Sequence, residues 1–333
     1  MVSNQFRYGL DKSSKKFICP QCHKKTFVRY VDNETKDYFH ADHVGRCDRD
    51  NNCQYHYPPK DYFTKHPSKR PNPVFIKNDT AVIQDIAPSF IPKSHYDYYW
   101  NLDASHCTFF QYLIQLFIEG ERLPKSGIPM KAAQAISAYQ LTPTDNIWIA
   151  DSLYKDGVIF WQFDYKNRIR TAKIMRYNSN TGKRIKRPKN YINWLHSVLK
   201  HQKKIESFNL VQCFFGEHLL TKYPNKPIAI VESEKTACIM SQIIPSHIWL
   251  ATGGSNGVKW HQAKVYQVLY NREVILYPDL GQFNKWSDLA ERLKSVHLNI
   301  RCSDLLEKYA NDNEKKSGFD IADFAIQNQW YLD

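Results

Sequence analysis

Apolar runs from Pro227 onward alternate with stretches of helical spacing. Ile228 to Val231 predicts a strand, followed by a helix through Ile244, a strand Ile248 to Ala251 and a helix near 260–270. The pattern repeats with a strand Val274 to Tyr277, a helix over 285–296 and a strand near Leu298 to Cys302. Strands that alternate with helices predict a parallel sheet covered on both faces. Upstream, 147–154, 158–164 and 168–177 read as strands. The turn signals Lys155-Asp156-Gly157 and Lys166-Asn167 separate them, and Asn178-Ser179-Asn180-Thr181-Gly182 follows, which predicts antiparallel hairpins. Phe109, Phe110, Leu113, Leu116 and Phe117 recur at helical spacing between Ala104 and Phe117, and Met130 to Leu141 reads as a second helix. Both are expected to serve packing only. The first ~65 residues are short-stranded, and Pro58-Pro59 with His66-Pro67-Ser68-Lys69-Arg70-Pro71-Asn72-Pro73 reads as a linker.

The 333 residues allow two or three modules, each able to bury a core. A hydrophobic share of 42% and only 12 glycines argue against low-complexity chain. No run approaches the ~18 uncharged apolar residues of a membrane span, and Met1-Val2-Ser3-Asn4-Gln5-Phe6-Arg7-Tyr8 lacks the apolar core of a signal peptide. The expected compartment is the cytoplasm, where closely spaced cysteines more often bind metal than form disulfides.

The net charge of +13 is unevenly placed: residues 155–204 hold 14 basic and two acidic side chains. A merely solvated surface would mix the two signs. A concentrated cationic surface suits phosphate neutralisation, so the stretch predicts salt-sensitive nucleic-acid binding.

Cys19-Pro20-Gln21-Cys22 and the wider Cys47…Cys53 pair supply two thiolate pairs for a tetrahedral Zn²⁺ in a structural site. His23, His40, His43 and His56 lie near enough in sequence for one of them to replace a cysteine. Cys107, Cys213, Cys238 and Cys302 sit in apolar segments and read as buried thiols. The fold class expected is therefore α+β and α/β multidomain. Its parts are a zinc β-ribbon (1–65), a linker and helical segment (66–145), a basic β-rich module (146–225) and a parallel α/β domain (226–333).

Glu232 follows the first strand of that last domain and Asp279 a later one, while Asp320 and Asp323 close it. An open parallel sheet places functional groups at the C-terminal ends of its strands, and such carboxylates suit Mg²⁺. Asp320 would equally cap the final helix, and Glu234 would favour a helix N-terminus. No Gly-x-x-x-x-Gly-Lys-Ser/Thr motif occurs, which speaks against ATP-driven unwinding on this chain.

These motifs resemble a Toprim domain: Glu232, the Thr252-Gly253-Gly254-Ser255-Asn256-Gly257 loop, Asp279, and Asp320 with Asp323. With the ribbon and basic middle, the chain resembles a bacterial or phage-type primase, in particular the primase-like proteins of mobile elements. The resemblance implies Mg²⁺- or Mn²⁺-dependent synthesis of short primers on single-stranded DNA from nucleoside triphosphates, with any unwinding left to a separate replicative helicase. It makes Glu232, Asp279, Asp320 and Asp323 the catalytic metal ligands. Lys173, Arg176, Lys183, Arg184, Lys186 and Arg187 would bind template or RNA–DNA hybrid, and Lys235 would contact phosphate. The chain departs from the family at Gly281, where the Asp-x-Asp motif has its second acid. A non-catalytic single-stranded-DNA-binding or recruitment protein, or a Toprim nuclease, are the alternatives.

Overall fold

The computed structural model describes residues 7–33, 35–49, 53–69, 87–118, 127–144, 148–149, 152–153, 155–186, 192–254, 257–260 and 262–330. Arg187, expected to bind nucleic acid, lies outside them. The chain divides into two compact units, 1–83 and 84–333.

The first unit is an antiparallel ribbon of β1 (Tyr8–Leu10), β2 (Phe17–Ile18), β3 (Lys25–Asp32), β4 (Gly45–Cys47) and β5 (His56–Tyr57), followed by α1 (Pro59–Lys65). The long strand β3 is central. It pairs with β1, β2 and β4, and brings Phe27 opposite Cys47. With so little apolar surface, the unit has one small cluster around Phe39, Val44 and Tyr62 and another around Phe27 and the cysteines. A ribbon of this size needs a further staple, which a metal supplies.

The second unit opens with α2 (Lys93–Trp100), α3 (Thr108–Phe117) and α4 (Met130–Ala138). After β6 (Thr142–Pro143) and the short hairpin β7 (Trp148–Ile149) and β8 (Ser152–Leu153), the hairpin β9 (Val158–Phe163) and β10 (Ile169–Met175) leads to β11 (Ile192–Trp194), α5 (Leu195–His201) and α6 (Leu219–Lys222). Strands β11, β10, β9 and β6 form one antiparallel sheet. Every residue of β9 is buried, because its two faces enter different cores. Val158 and Phe160 join the cluster that also holds α3 and α4, while Ile159, Trp161 and Phe163 pack with Tyr96 of α2 and Leu195 of α5.

The rest is β12 (Ile228–Val231), α7 (Glu234–Ile243), β13 (Ile248–Ala251), α8 (Ala263–Tyr266), β14 (Val274–Leu276), α9 (Phe283–Lys294), β15 (Ile300–Cys302), α10 (Leu305–Tyr309), α11 (Asp312–Ser317) and α12 (Ile321–Gln327). The four strands are all parallel, in the order β13-β12-β14-β15. All four residues of β12 and of β13 are apolar and buried, as a strand covered on both faces requires, and each such side chain contributes about 2 kcal/mol. The chain leaves β12 toward β13 on one side and returns to β14 on the other. That reversal opens a crevice beyond the carboxyl ends of β12 and β14.

Cys107, Cys213 and Cys238 are buried as expected, whereas Cys302 is half-exposed on the edge strand β15. None of the helices among the described residues is long and apolar enough to cross a membrane.

Candidate functional site

The sulfurs of Cys19, Cys22, Cys47 and Cys53 all lie within 4.8 Å of one another. Cys19 and Cys53 Sγ are 3.6 Å apart, and Cys22 and Cys47 are 3.9 Å apart. A tetrahedron with Zn–S bonds of about 2.3 Å has edges of about 3.8 Å, so the four thiols fit zinc without rearrangement. The Lys24 backbone N–H lowers the Cys22 thiol to about 6, while burial pushes that of Cys53 up to about 12. No histidine joins the set. Instead His56 Nε2 lies 2.9 Å from the Tyr30 hydroxyl, and His43 stacks on Tyr57.

In the second unit, Glu232 and Asp279 leave the ends of β12 and β14, the two strands that flank the crevice. Burial raises the Asp279 carboxyl well above the usual range, and Asp320, Glu232 and Asp323 push it the same way. Three of the sequence-predicted acids thus act electrostatically on the fourth. Among the described residues, however, only the thiols gather three or more metal-binding atoms within 4.8 Å. Asp320 caps α12 by accepting the Asp323 N–H at 2.8 Å and accepts the Thr236 hydroxyl at 2.5 Å. The helix cap expected of Asp320 is therefore present.

Lys235 stands inside this acidic group. Its ammonium donates to Asp323 Oδ1 at 3.3 Å, and Asp320 and Asp323 hold its pKa up against burial. Its expected contact with phosphate would compete with these carboxylates. At Gly281 the backbone turns left-handed, with φ +82, and the N–H donates to Glu307 Oε1 at 3.3 Å. Position 281 thus has a carboxylate from α10 beside it. That residue is one the sequence did not single out, because 26 positions separate the two.

The expected cationic face is rearranged. Lys173 is no surface cation: it is 8% exposed, and its ammonium donates to Glu234 Oε2 at 3.0 Å and to the Gly253 carbonyl at 3.2 Å. Arg176 pairs with Asp156 at 2.6 Å, and Arg168 and Arg170 both pair with Asp164. Both faces of the β9–β10 hairpin are covered, so its cations turn to carboxylates. Lys183 and Lys186 are exposed, and Arg184 is half-buried. They belong to a loop closed by a bridge between Tyr177 and Arg184. Gly182 sits so close to the Tyr112 ring that a Cβ there would come within 2.3 Å of it. Burial raises the Tyr112 hydroxyl, which also feels Lys235, Asp323 and Asp320. Tyr112 of α3 therefore connects the basic loop with the acidic group, a role beyond the packing expected of that helix.

A family model described as domain of unknown function DUF6371 matches residues 107–280, just over half of the chain. The chain belongs to this family. A second model, zinc beta-ribbon finger, matches residues 6–68, the segment that holds the four thiols. No curated protein matches the sequence. Similar solved structures include the Aquifex aeolicus primase (zinc binding and RNA polymerase domains), at 10% identity and a TM-score of 0.36, over 96% of this chain and 84% of that one. Another is the RNA polymerase domain of Mycobacterium tuberculosis primase DnaG, at 11% identity and a TM-score of 0.33, over 68% of this chain and 80% of that one.

Proposed function

We infer that this is a primase-like protein that makes short primers on single-stranded DNA in the replication of a mobile element or phage. Zinc-ribbon residues 1–65 would face template, the basic module 146–225 would form the channel floor and the Toprim-like domain 226–333 would carry the chemistry. One observation carries the reading: at the mouth of the sheet crevice the carboxyl of Asp279 is raised by burial and then by Asp320, Glu232 and Asp323 beside it. Such repulsion is relieved by a cation.

Asp279, with Asp320 or Asp323, would hold Mg²⁺ or Mn²⁺, which would neutralise triphosphate charge and align the reacting oxygens. The chain's own residues do the rest. Glu232 would be a further ligand or the base that takes the proton from the attacking 3′-hydroxyl. Thr236 fixes the carboxylate of Asp320, and Lys235 restrains Asp323. Lys183, Arg184 and Lys186 would hold the nucleic-acid backbone. A replicative helicase would act as a separate partner, in the cytoplasm.

Gly281 favours a second reading, a DNA-binding or recruitment protein without chemistry. The two separate on incubating purified protein with single-stranded DNA, ribonucleotides and Mg²⁺ or Mn²⁺, beside Glu232→Gln and Asp279→Asn. Primers made by the natural chain and lost in both variants support synthesis. Salt-sensitive binding without synthesis or cleavage supports the second reading, and metal-dependent cleavage instead of synthesis points to a Toprim nuclease.

A further inference from the structure

A cavity of about 480 Å³ opens beside Glu232, between the loop after β13 and the helix α9. Val258, Trp260, Tyr266, Trp286 and Leu289 form its apolar wall. The α9 residues Lys285, Trp286, Leu289, Arg292 and Leu293 all line it and recur at helical spacing, so one face of this helix builds one side of the pocket. Trp260 meets Trp286 edge to face at 6.1 Å and rests on the buried Phe214 at 5.1 Å. The indole of Trp260 is therefore propped from two sides.

Three cations also line it. Lys259, Lys285 and Arg292 are exposed, and none of them pairs with a carboxylate among the described residues. Elsewhere in this unit Lys173, Lys235, Arg168, Arg170 and Arg176 all do. Three unspent positive charges around an aromatic slot call for a ligand with a flat apolar body and several negative charges. Glu232 is the single acid in the lining, and it belongs to the acidic group at the sheet edge.

We propose that this pocket binds a nucleoside 5′-triphosphate, with its base against Trp260 and Tyr266 and its phosphates on Lys259, Lys285 and Arg292. Stacking on aromatic rings accepts any base, and cations at the rim hold a polyphosphate without reading sequence. The proposal deepens the reading above, since it names the subsite for the incoming nucleotide. It places that subsite on the α9 side of Glu232 rather than on the basic loop.

The test is equilibrium binding to the full zinc-loaded chain, measured by calorimetry without added divalent cation or chelator, with ATP, adenosine and inorganic tripolyphosphate as separate probes. ATP should bind more tightly than either fragment. Lys285→Glu with Arg292→Glu should weaken ATP at least about tenfold, and Trp260→Ala roughly tenfold, with tripolyphosphate unaffected by the latter. Asp288→Asn with Glu291→Gln, exposed on the same helix but outside the lining, should leave ATP affinity unchanged. Lys285 and Arg292 are exposed, so their variant keeps the test decisive even if Trp260→Ala does not fold. Unaltered ATP affinity in the charge-reversed variant, or tripolyphosphate binding as tightly as ATP, would overturn the pocket. So would displacement by a DNA oligonucleotide with no binding of ATP. If the natural chain makes primers while ATP binding ignores these substitutions, the pocket fails and primer synthesis stands. If ATP binding depends on them and no primer is made, the pocket stands and primer synthesis fails.

Discussion

Lys173 Nζ lies 3.0 Å from Glu234 Oε2, which joins the antiparallel sheet to the first turn of α7, two residues after Glu232. Both side chains are nearly shielded from water, at 11% and 2% exposed, so each charge depends on the other. Glu234 Oε1 and both polar atoms of Gln162 lie buried beside this pair without a hydrogen-bond partner among the described residues. Removing one partner of a buried pair strands the other charge, which costs about 3–5 kcal/mol. Lys173→Met should therefore lower Tm by roughly 10 °C in a unit of this size. The double variant Lys173→Met, Glu234→Leu should recover much of the loss. Thermal unfolding followed by circular dichroism tests this, and an unchanged Tm in Lys173→Met would remove the pair from the account of stability.

Zinc should bind at one equivalent per chain. Cys19→Ser and Cys53→Ser should each release it and unfold the ribbon, because the folding free energy of so small a unit is largely metal-binding free energy. Cys107→Ser, at a buried thiol outside the four-sulfur set, should retain full zinc. Atomic absorption on the three purified variants is the check.

Glu217 is 4% exposed, and its carboxylate accepts the N–H groups of Tyr165 and Phe214. Burial pushes its carboxyl from 4.5 up to about 7. A raised acid keeps its proton in the folded chain while the unfolded chain releases it, so stability falls as pH rises between those two values and is level above them. The full loss is roughly 3 kcal/mol. Glu217→Gln should abolish this component. Urea unfolding of both proteins at about pH 5 and pH 8 measures the difference, and equal pH dependence would contradict it.

Reversing the charges of Lys183, Arg184 and Lys186 should weaken binding of single-stranded DNA. It should also flatten the plot of log K against log salt by about two, since each lost phosphate contact on a single strand is worth about 0.7. Fluorescence anisotropy across a salt series reads this slope. An unchanged slope would assign the contact surface elsewhere.

Gly281→Asp tests the missing acid directly. Nothing lies within 4 Å of a Cβ built there, so the side chain fits, but a φ of +82 strains any residue with a Cβ. The expected cost is about 1 kcal/mol, shared by Gly281→Ala. Only the aspartate should tighten Mn²⁺ binding, read by electron paramagnetic resonance. Equal Mn²⁺ affinity in both would show that Gly281 does not border a metal site.

The strands Ile228–Val231 and Ile248–Ala251 were legible residue for residue, because a run of buried apolar side chains bounded by turn signals marks a covered parallel strand. The thiol spacing announced its ligands equally well, since two close pairs leave few other arrangements. The same local logic misjudged Lys173, because a cation in a β-hairpin looks the same in sequence whether it faces water or a carboxylate 61 residues away. It also missed Tyr112, Glu307 and the wall that α9 builds beside Glu232.

Composition and spacing by themselves determined the strands of the parallel sheet and the four thiols of the ribbon, because these follow from periodicity and from ligand chemistry within short stretches of chain. Tertiary structure alone decided which cations are spent in ion pairs, which stay free around a cavity, and that Asp320, Glu232 and Asp323 lie near enough to raise the carboxyl of Asp279. The physical reason is that a charge's role depends on its distance to other charges and to water. Only the folded chain sets those distances.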